Sequence, residues 1–156
     1  MDRAGLSCHV DNRLRVRIRR LDIDLPLPEY ASSGSVGFDL YCRHDMDVNP
    51  GDVALLPTGI AVATPPGYML LVTSRSSTPR RKGLSVPHGV GVIDQDYSGD
   101  GDEILCQFYN FTDHVVQVRR GERIAQGIFV RVDRAEWDEV DNLSAPTRGG
   151  FGSTGL

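Results

Sequence analysis

The chain has 156 residues, of which 40% are hydrophobic and 24% charged, and its formal net charge is -4. This length fits one domain with a sizeable core, and the composition excludes a disordered chain. The acidic balance argues against general nucleic-acid binding, and no apolar run is long enough to span a membrane. We therefore expect neither a nucleic-acid partner nor a membrane partner.

The cysteines and the first residues bear on the compartment. Cys8, Cys42 and Cys106 are odd in number, widely spaced and without zinc-site spacing, which predicts free thiols in a reducing environment. Residues 1–12 carry no apolar signal segment. The sequence therefore favours a cytoplasmic location.

Short strand patterns separated by glycine and proline follow one another along the chain. Between residues 13 and 19 arginine alternates with apolar residues, which predicts a strand with one buried face. Residues 74–83 are polar and basic, and they alone allow a short helix. The pattern predicts an all-β sandwich or barrel. The further strands are predicted at 36–42, 53–56, 60–63, 68–73, 90–93, 104–109, 115–119 and 124–132.

Three regions differ in composition: a polar lead-in at 1–12, a β-rich catalytic domain at 13–140 and a flexible, glycine-rich C-terminal arm at 141–156. The arm contains a literal G-x-G-x-x-G at 150–155. A dinucleotide-binding fingerprint needs a strand before it and a helix after it, so that interpretation is rejected. The arm instead predicts a flap that covers a base and binds phosphate, through Arg148, Phe151, Ser153 and Thr154.

Residues 90–102 place a carboxylate and an aromatic ring in a glycine-rich bend. Apolar residues lead into Asp94, Tyr97 follows, and glycines come next, which predicts a strand that stops and returns as a hairpin. An aspartate in such a turn often bonds its own backbone, but an exposed one can accept a proton from water. A calcium loop is rejected because Leu105 occupies the position where that loop needs a glutamate.

Two further segments are candidate anion sites. Residues 74–78 (Ser-Arg-Ser-Ser-Thr) follow a predicted strand and could bind phosphate, although such clusters usually cap helices. The basic residues at 80–82 could steer a polyanion or lie on a solvated surface. Residues 121–126 (Gly-Glu-Arg-Ile-Ala-Gln) end in a possible donor, Gln126, and are uninformative alone.

Taken together, five segments in this order resemble the motifs of the trimeric deoxyuridine triphosphatases (dUTPases). The resemblance runs from about residue 28 to the end of the chain. The segments are 36–40 (Val-Gly-Phe-Asp-Leu), 75–77 (Arg-Ser-Ser), 91–99 (Gly-Val-Ile-Asp-Gln-Asp-Tyr-Ser-Gly), 121–126 and 148–155 (Arg-Gly-Gly-Phe-Gly-Ser-Thr-Gly).

The resemblance implies a jelly-roll-like subunit in a homotrimer with three active sites shared between chains. It implies hydrolysis of dUTP to dUMP and pyrophosphate, which keeps uracil out of DNA and supplies dUMP for dTMP synthesis. Mg²⁺ would be held by the triphosphate and waters, without direct protein ligands. Such a reaction depends on positioning and charge stabilisation more than on covalent chemistry.

The resemblance also implies residue roles. Asp94 would be the general base that activates the attacking water, Tyr97 would pack against the deoxyribose, and Asp39 would support the site near the metal's water shell. The backbone at Gly91 and Val92 would read the uracil edge. The remaining substrate-binding residues are Arg75, Ser76, Ser77 and Gln126 at the phosphates, and Arg148, Phe151, Gly152, Ser153 and Thr154 in the arm.

Two alternatives remain beside this interpretation. The related dCTP deaminases need a catalytic glutamate where this chain has Gln107, and an amide cannot shuttle the proton. A non-catalytic nucleotide-binding regulatory trimer would be expected to lack part of the candidate set, which is complete here. His88 could contact the base or be a simple loop residue.

Overall fold

The computed structural model describes residues 14–147 and residue 149. Strands dominate this part of the chain, and α1 (Thr78–Lys82) is its one helix, so the prediction of a β-rich fold with a single short helix is confirmed. No described helix is long and apolar enough to cross a membrane. The strands are β1 (Arg17–Arg20), β2 (Phe38–Tyr41), β3 (Met46–Val48), β4 (Val53–Pro57), β5 (Ile60–Ala63), β6 (Tyr68–Ser74), β7 (Leu84–Ser85), β8 (Gly91–Ile93), β9 (Leu105–Asn110), β10 (Val116–Val118) and β11 (Arg123–Arg131).

Antiparallel pairing arranges these strands in four small sheets. The largest has the order β2-β11-β6-β8, and a three-stranded sheet has the order β4-β9-β7. Two-stranded pairs are formed by β1 with β5 and by β3 with β10. Strand β11 is the longest and pairs along most of its length with β6. Two candidate site residues lie here, Gln126 on β11 and Arg75 directly after β6.

The core lies between the sheets and is built from alternating positions of their strands. In β9 the side chains of Cys106, Phe108 and Asn110 are buried while the intervening positions face outward, as expected for a strand with one face in the core. Leu40 and Leu70 from the four-stranded sheet are fully buried in the same cluster. The regular alternation fixes which side chains of each strand can reach a ligand.

The two described cysteines belong to this core. Cys42 and Cys106 are free thiols and both are buried. Burial raises the pKa of the Cys42 thiol and raises that of Cys106 to about 12. Both thiols are therefore protonated and unreactive in the folded protein at neutral pH.

The structure differs from the sequence-based prediction at the glycine-rich bend. Strand β8 pairs with β6, whereas β9 pairs with β4 and β7, so the predicted hairpin between β8 and β9 is wrong. The chain passes instead from one sheet to another between Ile93 and Leu105. The strands before and after the bend, β8 and β9, belong to different sheets. The local sequence pattern cannot distinguish this arrangement from a hairpin.

Strand β1 also differs, because it begins at Arg17 and its apolar face is not buried. Leu14 and Ile18 are each 38% exposed. They line an open apolar groove of about 800 Å³ together with Tyr30, Val36 and other apolar residues. The alternating pattern therefore marks a face that the described part of this chain leaves uncovered.

Gly127 in β11 provides a test of this packing. A Cβ atom there would lie 2.5 Å from Cζ of Phe38 and 3.1 Å from Cδ1 of Leu70. We expect Gly127→Ala to lower the free energy of unfolding by about 1–3 kcal/mol because the core is overpacked. Urea denaturation measures the change. Gly34→Ala is the matched control, since a Cβ at Gly34 meets no atom within 4 Å, and an equal loss in both variants would contradict the packing argument.

Candidate active site

A polar cleft of about 490 Å³ lies beside helix α1. Four basic side chains line it against one acidic side chain, Glu122, which pairs with Lys82 at 2.7 Å. The surplus of positive charge suits a polyanionic ligand. The lining residues are Tyr41, Arg75, Ser77, Thr78, Arg81, Lys82, Gly121, Glu122 and Arg123.

Asp39 organises the guanidinium groups at this cleft. Its Oδ1 lies 2.8 Å from Nε of Arg75 and its Oδ2 lies 3.1 Å from Nη1 of Arg123. The Asp39 side chain is only 13% exposed, so these charge-assisted contacts fix the two arginines at the cleft. The sequence pattern assigns no role to Arg123, and its contact with Asp39 is visible only in the folded chain.

Strand register brings three of the sequence-predicted segments together. Asp39 in β2 lies opposite Gln126 in β11, and Gln126 lies opposite Thr73 in β6. The Gln126 side chain donates a hydrogen bond from Nε2 to the carbonyl oxygen of Ser74, at 3.1 Å. Segments far apart in sequence therefore meet at the Ser74 end of β6, where Arg75 follows.

The serines after Arg75 begin helix α1. Ser77 is the N-cap residue, and its side chain makes no capping hydrogen bond. Its hydroxyl lines the cleft and is available to a ligand. Ser76 is exposed beside it. Ser77 therefore occupies the N-cap position, as is usual for such clusters, but its side chain makes no capping hydrogen bond.

Tyr41, also absent from the predicted site, lines the cleft from β2. Burial raises the pKa of its hydroxyl, and the nearby carboxylates of Glu29 and Asp39 act in the same direction. The phenol therefore stays neutral at physiological pH and can serve as a hydrogen-bond donor. No sequence pattern distinguished this tyrosine from a packing residue.

The second group of candidate residues lies at the other end of β6. Asp94 directly follows β8, whose Ile93 pairs with Leu70, and the neighbouring Gln95 donates a hydrogen bond to the carbonyl oxygen of Tyr68 at 3.0 Å. Arg75 follows the opposite end of the same strand. At about 3.3 Å per residue, Asp94 and Arg75 are roughly 20 Å apart within one chain.

Asp94 itself is exposed. The turn hydrogen bond of this segment is made by another aspartate, Asp102, whose Oδ2 accepts from the Gly99 amide at 2.7 Å. Tyr97 is 39% exposed, and its hydroxyl donates to the carbonyl oxygen of Glu103 at 2.9 Å. A carboxylate and a fixed aromatic ring therefore face solvent together.

A small cavity of about 20 Å³ lies next to these residues, between β6, β8 and the edge of β9. Gly91, His88 and Gln107 line it together with apolar side chains. Val92 beside Gly91 is 54% exposed. Strand β8 is the edge of its sheet, so within the described residues the side of its backbone away from β6 has no strand partner.

One chain therefore carries two separate half-sites. After the roles predicted from the sequence, we call the first group the phosphate-side half-site (Asp39, Arg75, Ser77, Arg123 and Gln126) and the second the base-side half-site (Gly91, Val92, Asp94 and Tyr97). The predicted arm residues Arg148, Phe151, Gly152, Ser153 and Thr154 lie outside the described residues.

The basic cleft on this β-rich fold suits a protein that binds a phosphorylated ligand. The sequence model of the dUTPase family matches residues 24–155. The chain is 44% identical over 149 residues to the deoxyuridine 5'-triphosphate nucleotidohydrolase of Dictyoglomus turgidum, covering 92% of this chain and 99% of that protein. It is 47% identical over 146 residues to that of Thermobifida fusca, covering 91% and 79%. The chain belongs to the dUTPase family.

Solved structures agree with this assignment. The crystal structure of dUTPase from Streptococcus mutans matches with a TM-score of 0.70 and 32% identity, covering 77% of this chain and 98% of that one. The dUTPase of Staphylococcus bacteriophage 80alpha, solved with dUpNHpp, matches with a TM-score of 0.79 over 91% of this chain and 99% of that one. Its 23% identity supports the fold alone.

Proposed function

We propose that this protein hydrolyses dUTP to dUMP and pyrophosphate, as its curated relatives are named for doing. The observation that carries the proposal is the phosphate-side half-site, where Arg75, Ser77 and Gln126 converge around Asp39. Arg75 binds Asp39 through Nε and donates from Nη1 to the Arg123 carbonyl oxygen at 3.5 Å, so Nη2 can still donate to phosphate oxygens. Ser77 offers its hydroxyl, and Arg81 and Lys82 add positive charge at the cleft.

Water activation belongs to Asp94 in this proposal. A carboxylate that acts as general base needs to accept a hydrogen bond from a water molecule positioned to attack the α-phosphorus. The exposed position of Asp94 after β8 supports this role. Tyr97, three residues further on, packs its ring against the deoxyribose and leaves no space for a 2'-hydroxyl.

The base is read by the backbone of β8. Uracil and cytosine differ in their donor and acceptor pattern, so fixed amide and carbonyl groups at Gly91 and Val92 leave cytosine with unpaired polar groups. Gln107 next to this cavity carries an amide where deamination needs a carboxylate. Hydrolysis is therefore favoured over deamination for this chain.

Members of the family generally depend on a divalent cation, and the basic phosphate-side half-site suits a cation that arrives bound to the triphosphate. Within residues 14–147, no group of three or more His, Cys, Asp or Glu side chains is placed to hold a metal ion. Asp39 is already neutralised by two guanidinium groups, so its oxygens suit the water shell of a cation better than its direct coordination. We propose Mg²⁺, which keeps its waters and binds phosphate oxygens, and which would reduce the charge of the triphosphate.

We further propose a homotrimer whose active sites combine half-sites from neighbouring chains. The separation of roughly 20 Å between the backbones of Asp94 and Arg75 supports this, because both residues are proposed to act at the phosphate groups of one triphosphate. The uncovered apolar groove along β1 offers a surface for a second copy. Residues 133–147 form no strand or helix, and Trp137 there is 91% exposed, which suits an arm that reaches a neighbour.

A cytoplasmic location is proposed from the free thiols of Cys42 and Cys106, which are compatible with a reducing compartment.

The proposed activity is tested by mixing the purified protein with dUTP, dCTP, dTTP or UTP and Mg²⁺ and measuring pyrophosphate release. We expect rapid hydrolysis of dUTP and at least about 100-fold lower kcat/KM for the other three nucleotides. Chelation of the metal by EDTA should lower the turnover of dUTP. Ammonia release from dCTP would indicate a deaminase, and nucleotide binding without pyrophosphate release would indicate a regulatory binding protein.

A further inference from the structure

Tyr97 is held by the main chain of a residue that follows it in sequence. Its hydroxyl donates to the carbonyl oxygen of Glu103 at 2.9 Å while the ring remains 39% exposed. A ring anchored at its far end cannot swing away from a ligand without breaking this hydrogen bond. The position of the ring therefore depends on the position of the Glu103 backbone.

The Glu103 side chain fixes that backbone through two contacts. Its Oε1 accepts a hydrogen bond from the Gly59 amide at 2.6 Å, and its Oε2 lies 3.1 Å from Nη1 of Arg43. Arg43 also donates from Nη2 to the carbonyl oxygen of Leu21, at 3.2 Å. The carboxylate is 17% exposed and the guanidinium 26% exposed, so water screens this ion pair only in part.

The turn at residues 58–60, which contains Gly59, also binds Ile104, the residue after Glu103. The Ile104 amide donates to the carbonyl oxygen of Ile60 at 2.9 Å, and the buried Thr58 hydroxyl donates to the carbonyl oxygen of Ile104 at 2.7 Å. Gly59 between them has φ of +73°, a left-handed conformation that favours glycine. A rigid turn thus presents its amide to Glu103, and through Glu103 it supports Tyr97.

We propose that Glu103 and Arg43 are positioning residues that set the sugar specificity of the enzyme through Tyr97. This inference rests on the proposed function, in which the Tyr97 ring packs against the deoxyribose. We call the contacts of Glu103 with Gly59 and Arg43 the clamp. While the clamp is intact, the Tyr97 ring stays close to C2' and excludes a ribonucleotide. When the clamp is weakened, the Tyr97 ring can move and leave space for the 2'-hydroxyl. Discrimination between dUTP and UTP then falls, while the reacting groups are unchanged.

The experiment measures kcat/KM for dUTP and for UTP in four proteins: wild type, Glu103→Gln, Tyr97→Phe and the double variant. Glu103→Gln retains an acceptor for Gly59 but loses the charge that binds Arg43. We expect the ratio of the two kcat/KM values to fall about three- to tenfold in each single variant. The double variant should fall no further, because Glu103 acts through the tyrosine hydroxyl that Tyr97→Phe has already removed.

Asp22→Asn is the matched control. The Asp22 side chain is 15% exposed, lies beside Gly59 and, like Glu103, carries a negative charge near Arg43, but its ion pair is with Arg120 at 2.9 Å and its hydrogen bonds do not reach the segment from Tyr97 to Glu103. We expect this variant to keep the wild-type ratio. A fall as large as that of Glu103→Gln would mean that general loosening of the turn is the cause, and it would overturn the proposal.

The remaining outcomes are also decisive. An unchanged ratio in Glu103→Gln, or effects that multiply in the double variant, would overturn the positioning role. If Glu103→Gln does not fold, Arg43→Gln replaces it in the same cycle, since glutamine removes the charge that pairs with Glu103. A wild-type protein that hydrolyses dUTP and UTP equally would instead overturn the role of Tyr97 in the proposed function, and the clamp would lose its effect on sugar choice with it.

Discussion

Asp94→Asn is expected to lower kcat for dUTP by about 10²- to 10⁴-fold while nucleotide affinity stays within a few-fold of wild type. The amide has nearly the same shape as the carboxylate but cannot accept the proton of the attacking water. Phosphate and base contacts are made by other residues, so binding should persist. Turnover is measured by pyrophosphate release and affinity by titration calorimetry, both in the presence of Mg²⁺.

Asp96→Asn is the control for this prediction. Asp96 is exposed in the same bend, two residues after Asp94, and carries the same charge. A loss caused only by reduced negative charge near the site would appear equally in both variants. We expect Asp96→Asn to remain within a few-fold of wild type. Near-normal turnover of Asp94→Asn, or an equal loss in Asp96→Asn, would remove Asp94 from its role.

Arg75→Ala and Asp94→Asn chains, each inactive alone, are expected to regain activity when they are co-expressed. Arg75 and Asp94 lie roughly 20 Å apart within a chain, so each active site should take them from two neighbouring subunits. With equal amounts of both chains and random assembly, a site is complete when one subunit carries only Asp94→Asn and its neighbour only Arg75→Ala. The co-expressed population should therefore recover about a quarter of the wild-type activity per site, and isolated mixed trimers, in which one of the three sites is complete, about a third.

Different affinity tags on the two chains allow mixed trimers to be isolated before the assay. Asp94→Asn co-expressed with a second tagged copy of itself is the matched control, and it reports any activity contributed by the expression host. If isolated mixed trimers are as inactive as this control, both residues must come from one chain, and the shared-site arrangement is wrong.

The strands with a clear period of two or a continuous apolar run were predictable from the sequence, and β5 and β6 lie where the pattern placed them. Strands β3 and β7 were missed because three and two residues carry no period. The partner of β8 was also missed, since local pattern does not state which sheet a strand joins. The antiparallel pairing of β8 with β6 joins residues that are far apart in the sequence. Only this pairing shows that Asp94 is distant from Arg75.

The candidate site was predictable where residue type and order matched a family, as for Asp39, Arg75 and Gln126. The contacts of Arg123 and Tyr41 were not, because an arginine on a strand is usually solvated and a tyrosine usually packs. Glu103 had no sequence signal either. Its effect depends on Gly59 and Arg43, which are near it only after the sheets have formed.

The ion pairs of Asp39 affect the entropy of substrate binding. Arginine loses up to about 2 kcal/mol of rotamer freedom when its side chain is immobilised. Arg75 and Arg123 are already restrained by one carboxylate before any nucleotide arrives. Much of this side-chain entropy is therefore lost during folding and not on binding. A larger part of the free energy of the phosphate contacts then appears as net binding affinity.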